Sequence, residues 1–347
     1  MQTEQHANTK RNTSRTTTRK KKWIRGFIWL GLVTVLVLSA FVFRKQLAVF
    51  TFDALMSGVV ENKLNESYKP IEGRQEVDRK ITEPFSILLL GVDQRDDEIG
   101  RADTIIYTIV RPQDNKLLFV SIPRDTYTEI VGHGSSDKIN HAYAFGSVKD
   151  NRIGGPQMTI ATVSKLLNRD IHHYATINFE GFKDVVDTMG GVKLPIYEDI
   201  INKAVVHDKF RIQANKPLYS GLEALNYVRY REDSDMNRTE RQRIFLKAIM
   251  DRAIEMEQVG KITELMDIMG KNFTTDMKPR SIIELAKYMF QAEGAPSISS
   301  YMLHGDGKRM HNIWYYIPEE EDINYIKTLT NNWLNPNTAP TELIIPH

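Results

Sequence analysis
"FSILLLGVDQRDDEIGRADTIIYTIVRPQDNKLLFVSIPRD" spans residues 85–125 and decides how the rest of the chain is read. Three apolar runs, 85–92, 104–110 and 116–122, are separated by short polar loops. Their length and β-branched content predict strands. Loops this short make neighbouring strands antiparallel, because a parallel pair needs a long crossover. Asp93 then lies at the end of the first strand and Asp103 at the start of the second, at one edge of the sheet. The third strand runs back and delivers "SIPRD", with Arg124, to that same edge.

Beyond this meander, helical patterns fall at about 155–168, 180–189, 221–230, 237–257, 260–271, 279–292 and 319–332. Strand-like segments lie at 173–179, 298–303 and 313–317. Strands mixed with helices along one chain imply an α/β fold. The expected form is a mixed, three-layer α-β-α architecture with a central mixed, antiparallel-rich sheet flanked by helices. No internal repeat and no second domain of comparable size is visible.

The first 26 residues hold eight Lys or Arg and one acid, so the chain's 46 basic and 44 acidic residues are unevenly spread. Beyond them stand 38 basic and 43 acidic residues, a net of −5. A domain of that balance is a poor polyanion binder, which argues against nucleic acid as a partner. Residues 27–43 carry no charge, about 25 Å of helix at about 1.5 Å per residue. With Trp23, Ile24 and a snorkelling Arg25 the run approaches the bilayer core of about 30 Å. A cleaved signal peptide is the competing reading, but no small-x-small cleavage site follows. The basic flank favours a cytoplasmic N-terminus and a single-span cell-membrane anchor with the remainder outside. The absence of cysteine fits an exported domain without disulfides. The expected division is a basic tail over 1–22, a transmembrane helix over 23–43, a stalk over 44–84, a catalytic domain over 85–335 and a tail over 336–347.

Two carboxylates about 5 Å apart repel by roughly 3 kcal/mol at an effective dielectric near 20. A shared proton, an arginine or a cation must offset this, and oxygen ligands with room for phosphate suit Mg²⁺ or Mn²⁺. Alone, Asp93 and Asp103 also read as solvated loop acids. A calcium loop is excluded, since the position that should hold a bidentate Glu is Thr104. Further on, "YVRYREDSDMNRTERQR" (227–243) packs Arg229, Arg231, Arg238, Arg241 and Arg243 together. Asn237 with Glu240 three residues later predicts a helix start, placing Arg238 and Gln242 on one face. Arginine forks and a helix N-terminus both suit phosphate. A solvated helix with Arg229–Asp233 and Glu240–Arg243 pairs is the other reading. "GHGSSDKINHAYAFG" (132–146) offers Lys138 either to phosphate or to a surface loop. His172 and His173 point to opposite faces of a strand and do not share a metal. No G-x-x-x-x-G-K-[ST] or H-E-x-x-H pattern is present.

Together, "LLLGVDQRDDEIGRADT", "VSIPRDTYTEI", "KINHAYAFG", "GLEALNYVRYRED" and "DMNRTERQR" resemble the LytR–CpsA–Psr family in composition and order. The resemblance implies a phosphotransferase that moves a glycopolymer, such as wall teichoic acid, from a polyprenyl pyrophosphate carrier onto a peptidoglycan hydroxyl. It implies Asp93 and Asp103 as metal ligands. Arg95, Arg124, Arg229, Arg231 and Arg238 would contact pyrophosphate, supported by Gln242, with Asp235 an acidic site residue. Arg241 and Arg243 are left as surface or secondary contacts. A polyprenyl tail needs an apolar groove, for which "MTIATVSKLL", "FKDVVDTM" and "IFLKAIM" are possible walls or plain core. Two rivals remain: a lipid-pyrophosphate hydrolase, and a non-catalytic envelope regulator.

Overall fold
The computed structural model describes residues 57–74, 80–93, 99–149, 154–203, 209–230, 235–255, 259–292 and 294–346. The expected tail 1–22 and span 23–43 lie outside them, and among the described residues no helix is long and apolar enough to cross a membrane.

Helices α1 (Ser57–Ser67), α2 (His141–Lys149), α3 (Gly154–Leu167), α4 (Phe179–Thr188) and α5 (Gly221–Arg229) are followed by α6 (Asp235–Glu255), α7 (Val259–Asn272), α8 (Pro279–Gln291) and α9 (Glu320–Leu334). The strands are β1 (Phe85–Val92), β2 (Ala102–Arg111), β3 (Lys116–Ser121), β4 (Tyr127–Glu129), β5 (Ser136–Lys138) and β6 (His173–Asn178). They continue with β7 (Ile200–Asn202), β8 (Phe210–Ile212), β9 (Phe273–Thr275), β10 (Ser297–Met302), β11 (Gly305–Met310) and β12 (Ile313–Pro318).

Six strands form one sheet in the order β10-β3-β2-β1-β6-β9. The expected meander is its centre, with β1–β2 and β2–β3 antiparallel. β6 joins β1 in parallel and β10 joins β3 in parallel, each after a long helical crossover. β9 pairs antiparallel with β6 at the far edge.

Side chains alternate across the sheet, and both faces are covered. Leu88, Leu90, Ile105, Tyr107, Leu118 and Val120 face α3 and α9, where Val163, Leu167, Leu329 and Trp333 are buried with them. Phe85, Ile87, Ile106, Val110, Leu117 and Phe119 form a cluster on the opposite side with Leu246 and Met250 of α6 and Ile282 and Leu285 of α8. Burial on two faces is why the strands read as unbroken apolar runs instead of alternating ones. This is the mixed three-layer architecture that the sequence implied. A satellite core under α4 and α5 gathers Val186, Tyr219, Leu225, Val228 and Phe245. Of the three suggested groove walls, Ile160, Val163, Val186 and Phe245 thus belong to packed cores.

Two boundaries differ from expectation. Within the expected stalk, α1 buries Val60 and Leu64, and Lys69 donates its backbone N–H to the Thr275 carbonyl at 2.7 Å. That segment is part of the domain. The expected tail is also docked: Trp333 Nε1 donates to the Ile344 carbonyl at 2.8 Å, and Leu343 is buried. Arg111, itself buried, donates to the carbonyls of Trp333, Asn335 and Thr338 at 2.7, 3.0 and 2.8 Å and clamps this segment.

Candidate functional site
The edge where β1 ends and β2 begins is irregular. Gly91 pairs with Thr104 and Val92 with Ala102, so Asp103 is the extra residue of a β-bulge. A bulge turns its unpaired residue away from the regular alternation. Gly91 matters here because a Cβ on it would lie 3.0 Å from the Thr104 Cβ. Asp93 follows on β1, and its backbone N–H donates to the Arg101 carbonyl at 3.0 Å.

β3 returns to this edge and continues through Ile122, whose N–H donates to the Ile105 carbonyl at 2.9 Å. Pro123 then ends the pairing, and Arg124 turns onto Asp103. Its Nη1 lies 2.9 Å from each carboxylate oxygen. Arg124 Nε is 3.5 Å from Asp125, whose other oxygen meets Lys138 Nζ at 2.8 Å. The Arg124 loop is fixed from behind: Thr126 Oγ1 donates to the Pro123 carbonyl at 2.6 Å and Asn140 N–H to the Arg124 carbonyl at 3.2 Å. Next to Lys138, Asp137 sits 2.8 Å from His141 Nδ1. Burial pushes the Asp137 carboxyl up, but hydrogen bonds from His141 and the Lys138 N–H outweigh it and hold its pKa below the usual carboxylate value.

α6 supplies the third wall. It opens at Asp235, three residues before the start at Arg238 that an Asn237 cap would give, so Asn237 lies in the first turn. Arg238 is 7% exposed, and its Nη2 donates to the Asp103 carbonyl at 2.6 Å. One turn on, Gln242 Nε2 donates to Thr104 Oγ1 at 3.1 Å. The i, i+4 spacing therefore sets both side chains on the bulged strand start. Asp103, Thr104, Arg124, Arg238, Gln242 and Trp314 line one open cleft. Tyr316 also borders it; burial, with Asp322 and Glu319 nearby, pushes its phenol up to about 12, so it stays protonated at neutral pH.

Of the expected residues, Asp103, Arg124, Arg238 and Gln242 meet in the cleft, with Asp93 at the same edge. Arg229 does not line it; its guanidinium stands 4.6 Å from the Phe179 ring centroid. Arg95, Arg231 and the Asp235 side chain lie outside the described set. Arg241, expected as a surface or secondary contact, is 8% exposed and donates to the Tyr230 carbonyl at 2.6 Å while lying over the Tyr230 ring, tying α6 to the end of α5. Arg243 is the exposed one, bonded to Ser300 and Glu240. Sequence reasoning passed over Trp314, whose only signal was an aromatic in the strand-like run "NIWYYI" (312–317).

Among the described residues no group of three or more His, Asp or Glu side chains could enclose a metal. Two carboxylates at one edge nevertheless fit a hard cation that takes its other oxygens from water and phosphate, the usual habit of Mg²⁺.

The LytR_cpsA_psr family model matches residues 54–332. A relative from Oceanobacillus iheyensis, named polyisoprenyl-teichoic acid–peptidoglycan teichoic acid transferase TagU, is 33% identical over 89% of this chain and 94% of its own length. The crystal structure of Bacillus subtilis TagU is similar with a TM-score of 0.55 and 31% identity, covering 74% of this chain and all of that one. A structure of TagT bound to LIIa-WTA is similar with a TM-score of 0.58 and 27% identity, covering 77% of this chain and 98% of the other.

Proposed function
Because the chain belongs to the LytR–CpsA–Psr family, we propose that it transfers an anionic glycopolymer, such as wall teichoic acid, from a polyprenyl pyrophosphate carrier to a peptidoglycan sugar hydroxyl. The observation that carries this reading is the convergence of Arg124 and Arg238 on Asp103 at the mouth of a cleft. Two guanidinium groups held by packing and hydrogen bonds form a preorganised anion site.

In the proposed reaction the acceptor oxygen attacks the glycan-side phosphorus, and the bond from that phosphorus to the bridging oxygen breaks. Polyprenyl phosphate leaves, the hydroxyl proton is released, and the glycan remains joined to the wall by a phosphodiester. The donor carries its own activation, so no nucleotide is needed. Arg124 and Arg238 bind the phosphoryl oxygens and offset charge as the leaving phosphate separates. Gln242 orients the strand start through Thr104, and Arg124 holds the Asp103 carboxylate in place. Asp93 and Asp103 would hold Mg²⁺, or Mn²⁺, which when bound supplies further neutralisation of phosphoryl charge. Leu246, Met250, Ile282 and Leu285, only partly buried against the sheet, support an apolar seat for the polyprenyl tail.

The apolar run 23–43 and its basic flank support a single-pass membrane anchor with this domain outside. The test combines the detergent-solubilised full chain, a polyprenyl pyrophosphoryl disaccharide, peptidoglycan oligomers and Mg²⁺, read by mass spectrometry. A phosphodiester-linked glycan that disappears with Arg124→Ala supports the transferase. Free phosphorylated glycan alone would indicate a hydrolase, and donor binding without turnover a regulator.

A further inference from the structure
The hairpin of β11 and β12 turns through His311 and Asn312, both in the left-handed region at φ 50° and 65°, as a tight two-residue hairpin turn requires. Its register sets Trp314 opposite Arg309 and Tyr316 opposite Gly307. Residues directly opposite share a face, so Trp314, Tyr316 and Gly307 lie on one side of the ribbon. There the indole crosses diagonally onto Gly307: a Cβ at that position would sit 1.9 Å from Trp314 Cζ2 and 2.1 Å from Cη2. The outer edge of the indole thus reaches over Gly307, where a side chain would displace it.

The contact runs through the outer carbons of the six-membered ring and leaves the rest of the indole uncovered by Gly307. Trp314 is 51% exposed, so much of the indole stays open. The rest of the hairpin holds it in place. Tyr316 N–H donates to the Asp125 carbonyl at 2.9 Å, next to Arg124, and Tyr316 Oη donates to the Leu303 carbonyl at 3.1 Å. On the opposite side Tyr315 packs edge-on against Tyr127 at 5.1 Å. The hairpin is therefore joined to the loop that carries Arg124, and its indole lines the same cleft as Arg124, Arg238 and Asp103.

We propose that the open face of Trp314 is a saccharide platform that stacks the first sugar of the donor, the ring joined directly to the reacting phosphorus. This rests on the transferase reading above and adds a specificity residue to that same site. A pyranose offers a face of C–H groups that complements the flat, electron-rich indole, and aromatic side chains commonly line ligand sites in this way. A phosphate held by Arg124 and Arg238 leaves its attached sugar within the same cleft as Trp314. Stacking there orients the glycan-side phosphorus and rejects carriers that lack a sugar. Trp314 is a positioning residue, with no part in bond making.

The test measures affinity of the full chain in detergent for two probes, a short-chain prenyl pyrophosphoryl-N-acetylhexosamine and the same prenyl pyrophosphate without sugar. Wild type, Trp314→Ala, Trp314→Phe and Gly307→Ala are compared, with thermal melting to show that each is folded. Gly307→Ala meets only the far end of the indole, so it displaces the platform without removing it. We expect Trp314→Ala and Gly307→Ala to weaken the sugar-bearing probe about three- to tenfold, the worth of one aromatic stack. The bare probe should be unchanged and Trp314→Phe should restore part of the loss. Equal loss on both probes, or no loss on either, overturns the platform. An unchanged donor affinity with a raised KM for peptidoglycan would overturn the donor assignment. If wild type binds neither probe, the transferase reading itself fails, a result distinct from wild type binding both alike.

Discussion
One nitrogen of Arg124, Nη1, holds both oxygens of the Asp103 carboxylate at 2.9 Å. Asp103 owes its availability to the bulge, since in regular β pairing it would face a partner on β1. The pair therefore joins a backbone irregularity on β2 to a loop fixed by Pro123 and Thr126. Removing the guanidinium is expected to lower kcat by about 10²- to 10³-fold, the usual cost of losing one preorganised donor. Arg124→Lys should not rescue it, because one ammonium cannot hold Asp103, stand beside Asp125 and still present a planar pair of donors to phosphate. Single-turnover assays on folded protein check this; near-wild-type turnover by Arg124→Ala would remove Arg124 from the mechanism.

The carboxylate pair makes a separate demand. Under the proposed Mg²⁺ site, chelation with EDTA abolishes transfer and added Mg²⁺ or Mn²⁺ restores it. Asp93→Asn removes one formal charge from the ligand set and should raise the Mg²⁺ concentration for half-maximal rate several-fold. Titrating the metal against both proteins decides the matter. Identical curves would exclude Asp93 as a ligand.

Gln242 and Thr104 form a smaller unit that can be separated from the arginines. Thr104→Val keeps the side-chain shape while deleting the oxygen that accepts from Gln242 Nε2 at 3.1 Å. The lost hydrogen bond costs about 1 kcal/mol of stability. Gln242→Ala should cost a similar amount, and the double variant less than the sum of the two, since they share one bond. Urea denaturation of the four proteins measures that coupling.

The meander and the helices after it were legible because two-faced burial writes strands as apolar runs and helices as amphipathic periods. Residues 85–92 and 221–229 came through within a residue for that reason. Short elements held by tertiary contacts were not. β4, β5, β7, β8 and β9 have three residues each, too few for any period to show. α1 went unseen because its apolar positions, Val60 and Leu64, are sparse and their burial depends on a distant helix. At the site, Asp103 and Arg124 could be brought together from strand direction alone. The burial of Arg241 could not, because it depends on the Tyr230 carbonyl and ring meeting α6.

Arg111 tests the C-terminal clamp. It is 3% exposed and bonded to Asp114 and to three carbonyls beyond β2. Arg111→Ala strands those carbonyls and the Asp114 carboxylate, and breaking a buried charged network in this way costs about 3 kcal/mol. The denaturation midpoint should fall accordingly while the affinity for prenyl pyrophosphate, measured well below that midpoint, is retained. An unchanged midpoint would show that the segment after α9 is not held by Arg111.

The start of α5 gives a pH-dependent prediction. Ser220 and Glu223 form a reciprocal capping box, and Glu223 also takes Lys216 Nζ at 2.7 and 2.8 Å. Burial alone would raise the Glu223 carboxyl, but Lys216 and the Ser220 N–H and hydroxyl outweigh it, and its pKa falls below the ordinary glutamate value. A carboxyl whose folded pKa is depressed binds its proton more readily in the unfolded chain. Its stabilisation is therefore fully present above the unfolded pKa of about 4.3 and is lost as pH falls through the lower folded value. Glu223→Gln should accordingly melt below wild type at pH 7, with the gap closing as pH drops from about 4.3. Ser220→Ala removes the cap itself, costing about 1 kcal/mol, and part of that cost should persist in acid because the Glu223 N–H then lacks its acceptor at every pH. Melting temperatures of the three proteins from pH 7 to pH 3 distinguish the two contributions. A Glu223→Gln gap that stays constant across the range would mean that the carboxylate's charge does not stabilise this turn.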